Sequence, residues 1–176
     1  VRLSVIEPNL YAELEHEAHD HPETSVVGYG HTYSMRFGSN YSTIDFYSRH
    51  KDYVNYFIGN KSSKWASRVG VYDKMMLREA AEGIDVAWEI KEGHIKYTLE
   101  VSSRAELEDF SISYDAVRAL RVENGALKIT LPNHEVIEQE PIAFQLIGGE
   151  KQMIDCAFKV NGHKASFQVG EYNHQY

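Results

Sequence analysis

Basic residues are scarce in this chain: eighteen Lys and Arg stand against twenty-six Asp and Glu, a formal net charge of −8 at pH 7. Surfaces for nucleic acid and for anionic membranes need clustered cations, so the composition argues against both partners. No apolar run approaches the roughly 20 residues of a spanning helix, and no membrane insertion is expected. One cysteine excludes an internal disulfide framework. Cys156 alternates with Ile154, Phe158 and Val160, the setting of a small buried hydrophobe rather than a reactive thiol. The sequence also lacks GxSxG, a P-loop, a dinucleotide fingerprint and CxxC. Nucleophilic, nucleotide-dependent and redox chemistry therefore find no support, and neither a catalytic residue nor a cofactor is assigned.

What the chain does have is strand chemistry. Hydrophobic residues make up 43% and aromatics 12%, with twelve tyrosines against four prolines. That composition excludes disorder, and Tyr, Val and Ile suit a pleated, half-buried surface. A length of 176 residues fits one domain, spanning 1–176.

Period-two alternation recurs throughout. Val27, Tyr29, His31, Tyr33, Met35 and Phe37 share one face of a stretch containing Gly28 and Gly30. Ile84, Val86, Trp88 and Ile90 alternate before a turn at Lys91–His94, and Ile95, Tyr97, Leu99 and Val101 follow as the second arm of a hairpin. Asn124-Gly125, set between Leu120/Val122 and Leu127/Ile129, is the strongest local hairpin signal. Further strands are expected around Glu135–Glu138, Ile142–Ile147, Lys151–Val160 and Lys164–Val169. Only Lys74–Glu82 and Ser103–Glu108 have room for a helical turn or two. The pattern predicts an all-β fold, an antiparallel sandwich or open barrel with many short strands.

Several stretches carry a resemblance: Val54-Asn55-Tyr56-Phe57-Ile58-Gly59-Asn60, Ser63-Lys64-Trp65, Gly83-Ile84-Asp85-Val86, Asn124-Gly125-Ala126-Leu127, Pro141-Ile142-Ala143-Phe144-Gln145 and Phe167-Gln168-Val169-Gly170-Glu171-Tyr172. In this order they resemble an uncharacterised β domain that opens large secreted or surface proteins of gliding bacteria, exported by type IX secretion and often followed by SBBP-type repeats. The resemblance implies a secreted or cell-surface location and no established activity. It also implies that the family's first and last segments are missing here. If so, edges around Arg2 and Val5, and around Lys164 and Phe167, await a partner strand. The family-like punctuation places Trp65, Trp88, Phe57 and Ile84 in one core.

Three constellations invite chemistry. His16, His19 and His21, flanked by carboxylates, have ligands suited to zinc, nickel or copper. Their HxxHxH spacing lacks the i, i+4 helical pair of HExxH, so weak, adventitious divalent-metal binding is expected. Asp45 and Asp85 invite a paired-carboxylate reading as in glycoside hydrolysis. Against it, an Asp two residues after Gly83 suits a turn tied down by backbone N–H groups. Trp65, Trp88, Tyr53, Tyr56, Tyr72 and Tyr97 can make a sugar platform or fill a core or interface. The resulting expectation is a non-catalytic structural or protein-interaction module, whose partner is another polypeptide or the rest of a larger precursor. The alternative is a carbohydrate-binding or glycan-acting β-sandwich.

Overall fold

Alternating side chains become strands wherever a neighbour can pair with them. The computed structural model describes residues 2–5, 31–38, 43–91, 94–103 and 105–173. Fourteen strands run through them: β1 Arg2–Val5, β2 Tyr33–Phe37, β3 Thr43–Tyr56, β4 Ala66–Ala81, β5 Ile84–Lys91, β6 His94–Val101, β7 Ile112–Asp115, β8 Ala119–Glu123, β9 Ala126–Thr130, β10 Glu135–Glu138, β11 Ala143–Ile147, β12 Glu150–Ile154, β13 Cys156–Asn161 and β14 Lys164–Val169. All pairings are antiparallel, and the only helical pieces described are 3-10 turns at Ser62–Lys64 and Leu107–Asp109. The fold is all-β, without a closed barrel among the described residues. Two compact units emerge, one from Val1–Gly38 with Glu108–Tyr176 and one from Ser39–Leu107.

In the first unit a five-stranded sheet, ordered β1-β2-β7-β14-β13, is accompanied by a three-stranded sheet, β10-β9-β8, and a β11-β12 hairpin. Tyr33, Met35 and Phe37 alternate inward on β2, Ile112 and Tyr114 on β7, and Ala165 and Phe167 on β14. Leu127 and Ile129 of β9 are likewise fully buried. The Tyr114 hydroxyl, from the larger sheet, donates to Glu138 of β10 at 2.8 Å and ties the two sheets together. The Asn124-Gly125 turn has positive φ at both residues (51° and 81°), as a two-residue hairpin loop requires. Near the C-terminus the Gln145 side-chain amide stands in for a strand. It accepts the Asn173 N–H and donates to the Asn173 carbonyl, both at 2.8 Å. The Gly170 N–H meanwhile reaches the Asp155 carbonyl at 2.8 Å. The Gln of Pro141–Gln145 and the segment after Val169-Gly170 are therefore partners in one structure.

The second unit is a single sheet ordered β3-β4-β5-β6. Leu77, Val86 and Trp88 lie on one face and are buried, and Ile84 at the start of β5 is fully buried. Here the sequence expectation of a helix over Lys74–Glu82 fails: Lys74–Ala81 is the second half of β4. Met75, Met76 and Leu77 are paired on both sides, to β3 and to β5, and that pairing overrides the weak helical preference of the stretch.

Candidate functional site

β5 accompanies β4 only between Lys74 and Ala81. Beyond that point Arg49–Tyr56 and Ala66–Asp73 continue as a two-stranded ribbon with no third strand among the described residues. Each strand carries roughly eight residues past the sheet, a reach of about 25 Å at ~3.3 Å per residue.

The ribbon is shaped by bulges and by its tip. Arg68 adopts φ +55°, and its N–H is accepted by the Asn55 side-chain oxygen at 2.8 Å, where the register shifts between Val54 and Tyr56. At the tip, Gly59 takes φ +75° and the Trp65 indole N–H donates to its carbonyl at 3.1 Å. The 3-10 turn is closed by Lys64 N–H to Lys61 and Trp65 N–H to Ser62, each 3.0 Å. Phe57 packs edge-on against Trp65, ring centroids 5.6 Å apart at 71°. Asn55, Gly59 and Trp65 thus have local jobs in holding a loop.

That geometry corrects the single-core expectation. Ile84 and Trp88 are buried as expected, whereas Phe57 and Trp65 are 58% and 44% exposed. Aromatic punctuation marks a well-fixed turn whether the turn packs inside or, as here, projects outward.

The ribbon's surface pairs rings with cations. Arg68 lies over the Tyr53 ring at 5.7 Å, and Phe46 meets Tyr72 at 5.1 Å. Gly70 makes room between them, since a Cβ there would stand 3.0 Å from the Tyr72 ring and 3.3 Å from Arg49 Nε. Tyr53, Val54, Tyr56, Phe57 and Ile58 are all exposed.

At the end of the sheet away from the ribbon, Arg78 joins both candidate carboxylates. Its Nε donates to Asp45 at 2.9 Å, Nη1 to Asp85 at 2.7 Å and Nη2 to the Tyr47 hydroxyl at 2.8 Å. Asp85 Oδ1 also accepts the Glu79 N–H at 2.8 Å, as expected for a carboxylate that ties down a turn. Glu79 completes the loop by accepting the Gly83 N–H at 3.1 Å. The Arg78 guanidinium holds the Asp45 carboxyl below its ordinary value near 3.8, while Asp85 first and then Asp45 push Arg78 further up. With one guanidinium bonded to both, the two carboxylates are committed as its acceptors, which suits a structural clasp better than acid–base work.

Glu123 is lowered from its ordinary value of 4.5, chiefly by its Lys128 hydrogen bond. For Asp45 and Glu123 the folded pKa lies below the unfolded one. The stability each contributes is present above the ordinary carboxylate value and is lost as pH falls through the depressed one. The urea midpoint is therefore expected to drop between about pH 5 and pH 2. Asp45→Asn and Glu123→Gln should each flatten that slope in a pH series of urea titrations.

The remaining sequence candidates fall as follows. His16, His19 and His21 lie outside the described residues, and among the described residues no group of three or more His, Cys, Asp or Glu is placed to hold a metal. Arg2 and Val5 are on β1, at the edge of the five-stranded sheet. Lys164 and Phe167 are not on an edge strand: β14 lies between β7 and β13, and the Phe167 side chain is buried against Phe158. The Asn161–Lys164 hairpin and the β7 pairing at Lys164 and Ala165 draw β14 inward. His31 is satisfied, its Nε2 donating to the Ala116 carbonyl at 2.6 Å. Cys156 is half-buried, and burial pushes its thiol pKa up. A shallow depression lined by Arg36, Ser113, Asp115, Asn161, His163 and Lys164 is polar and partly closed by the Arg36–Asp115 ion pair at 3.1 Å.

Sequence reasoning missed the projecting ribbon and Arg78. The length of Thr43–Tyr56 and Ala66–Ala81, 14 and 16 residues against eight each for β5 and β6, is the signal that points to the ribbon. A family model described as "Domain of unknown function (DUF7948)" matches residues 1–176. No curated protein and no solved structure matches the chain.

Proposed function

This chain belongs to the DUF7948 family, and we propose that it is a non-catalytic protein-interaction module whose contact surface is the β3–β4 ribbon. The observation that carries this reading is the exposure of Tyr53, Tyr56, Phe57, Ile58 and Trp65 on a two-stranded element. Contiguous exposed aromatic and aliphatic side chains mark interaction sites, and Tyr and Trp are enriched there. An isolated two-stranded ribbon is also marginal in water, so a partner that packs on it stabilises it. The tip's own hydrogen bonds hold Trp65 in place, and Phe57 packs against it, before any partner arrives, which lowers the ordering cost of binding. The clasp at Arg78 supports the non-catalytic part of the reading, because it commits Asp45 and Asp85 to structure. A secreted or cell-surface setting rests on the resemblance carried by the stretches between Val54 and Tyr172 described above.

A photo-crosslinking residue placed at Phe57, and in a control at Ile142, tests this in the cells that make the protein. Ile142 is 77% exposed but lies in the other unit. Adducts to another polypeptide are expected from position 57 and few from 142. No adduct from 57, or equal yields from both, would overturn the reading.

A further inference from the structure

The ribbon is basic in an acidic protein. Residues 49–74 hold six of the eighteen Lys and Arg but only two of the twenty-six Asp and Glu, a local net of +4 within a chain of −8. Of the two acids, Asp73 is engaged by His50. Arg49, Lys51, Lys61, Lys64 and Arg68 make no ion pair with a carboxylate among the described residues. A protein that neutralises Arg121, Lys128 and Arg36 with its own carboxylates leaves these five uncompensated.

The same ribbon has open backbone edges. The outer edge of β3, and the outer edge of β4 over Ala66–Asp73, have no strand neighbour among the described residues. Such edges present N–H and C=O groups in the spacing that an added strand satisfies. Sugars and nucleic acids do not match that ladder, whereas an extended polypeptide does. Self-pairing of two ribbons would bring +4 beside +4, so the charge disfavours a second copy laid ribbon to ribbon.

We propose that the β3–β4 ribbon receives an acid-rich, extended polypeptide segment of another protein as an added strand, with Arg49 and Arg68 receiving its carboxylates. This rests on the reading of the ribbon as a protein-contact surface and adds the chemistry of the partner. Tyr53 pairs with Gly70, whose absent Cβ lets the Tyr72 ring and Arg49 Nε lie over the strand, while Arg68 lies over the Tyr53 ring. Carboxylates alternating with apolar or aromatic side chains meet both features at once. The guanidiniums are exposed, so the contribution to binding is salt-sensitive.

The test uses the full chain and a soluble poly(Glu,Tyr) copolymer, with polygalacturonate and oligodeoxythymidine as anionic probes of other classes. Copolymer binding is expected to be saturable and weakened by salt. Hydrogen exchange should show amide protection gained within 49–56 or 66–73. The double variant Arg49→Glu/Arg68→Glu should bind about tenfold more weakly or worse, while Lys151→Glu/Lys159→Glu, the same charge change at exposed sites in the other unit, should bind as the parent does. Lys61→Glu/Lys64→Glu at the tip gives a second reading of the charge effect should the first double variant fold poorly. Absence of copolymer binding, binding indifferent to the ribbon variants, no gain of amide protection, or equal affinity for polygalacturonate or oligodeoxythymidine would each overturn the proposal. Crosslinks from position 57 that persist alongside a failed copolymer experiment would overturn only the acid-rich strand and leave the contact surface standing.

Discussion

Ile84→Ala is expected to lower the unfolding free energy by about 2–5 kcal/mol, whereas Phe57→Ala should cost about 1 kcal/mol or less. Both residues sit in the family-like punctuation, and both are large and apolar. Ile84 is fully buried at the first position of β5, paired with Ala81 and Val101. Removing its three outer carbons leaves a cavity that neighbours on a paired strand cannot collapse to fill, so the lost transfer energy and the cavity add. Phe57 is 58% exposed and keeps only an edge-on contact with Trp65. Its truncation forfeits that ring pair and little else. Urea titrations of the two variants beside the parent measure the difference directly. If Phe57→Ala were the costlier of the two, the tip would be packing inward and the exposed ribbon would lose its role as a contact surface.

The contrast between those two residues also marks what the sequence makes legible. Alternation identifies strands because each pleated segment repeats its face every second residue, and the runs at Ile84–Ile90 and Ile95–Val101 appear as β5 and β6 in the expected hairpin. Asn124-Gly125 is legible for a local reason: a two-residue loop needs positive φ twice, and few other dipeptides supply it. Asp85 was legible as a turn-holding carboxylate, though its acceptance of the Glu79 N–H across the strand pair depends on a bulge no local pattern announces. Exposure and sheet order are different in kind. Whether Trp65 packs inward or outward, and whether β14 is an edge or an interior strand, depends on which distant segment comes alongside. Lys74–Glu82 shows the same limit, because its neighbours on both sides come from segments remote from any helical rule.

Asp85→Ala is expected to destabilise the fold by about 2–4 kcal/mol, more than its single carboxylate suggests. Between Leu77 and Ala81 four steps of β4 face only two of β5, and the surplus is absorbed at Glu79, which takes φ +52°. A non-glycine residue holds that conformation only where its surroundings compensate it. The compensation is Asp85: Oδ1 accepts the Glu79 N–H at 2.8 Å, Oδ2 accepts Arg78 at 2.7 Å, and the side chain is only 21% exposed. Alanine leaves the amide without its acceptor and Arg78 without its better-shielded carboxylate, and water replaces them only in part. Gly83, with φ +68° and a Ser102 oxygen 2.3 Å from where a Cβ would stand, fixes the turn that delivers Asp85 to this place. Asp85→Asn should cost about half as much, since an amide oxygen still accepts the Glu79 N–H while Arg78 keeps only the more exposed Asp45 as its counter-charge. Asp45→Ala should be milder again, because Asp45 is 42% exposed and receives no backbone amide among the bonds it makes. Urea unfolding gives the order of the three, and hydrogen exchange gives the mechanism: the Glu79 and Gly83 amides should lose protection in Asp85→Ala before the rest of β5 does. A cost within about 0.5 kcal/mol, the range of an ordinary surface change, would mean that the bulge stands without its carboxylate. The Asp of Gly83-Ile84-Asp85 would then be free for chemistry, and the case for a purely structural clasp at Arg78 would fall with it.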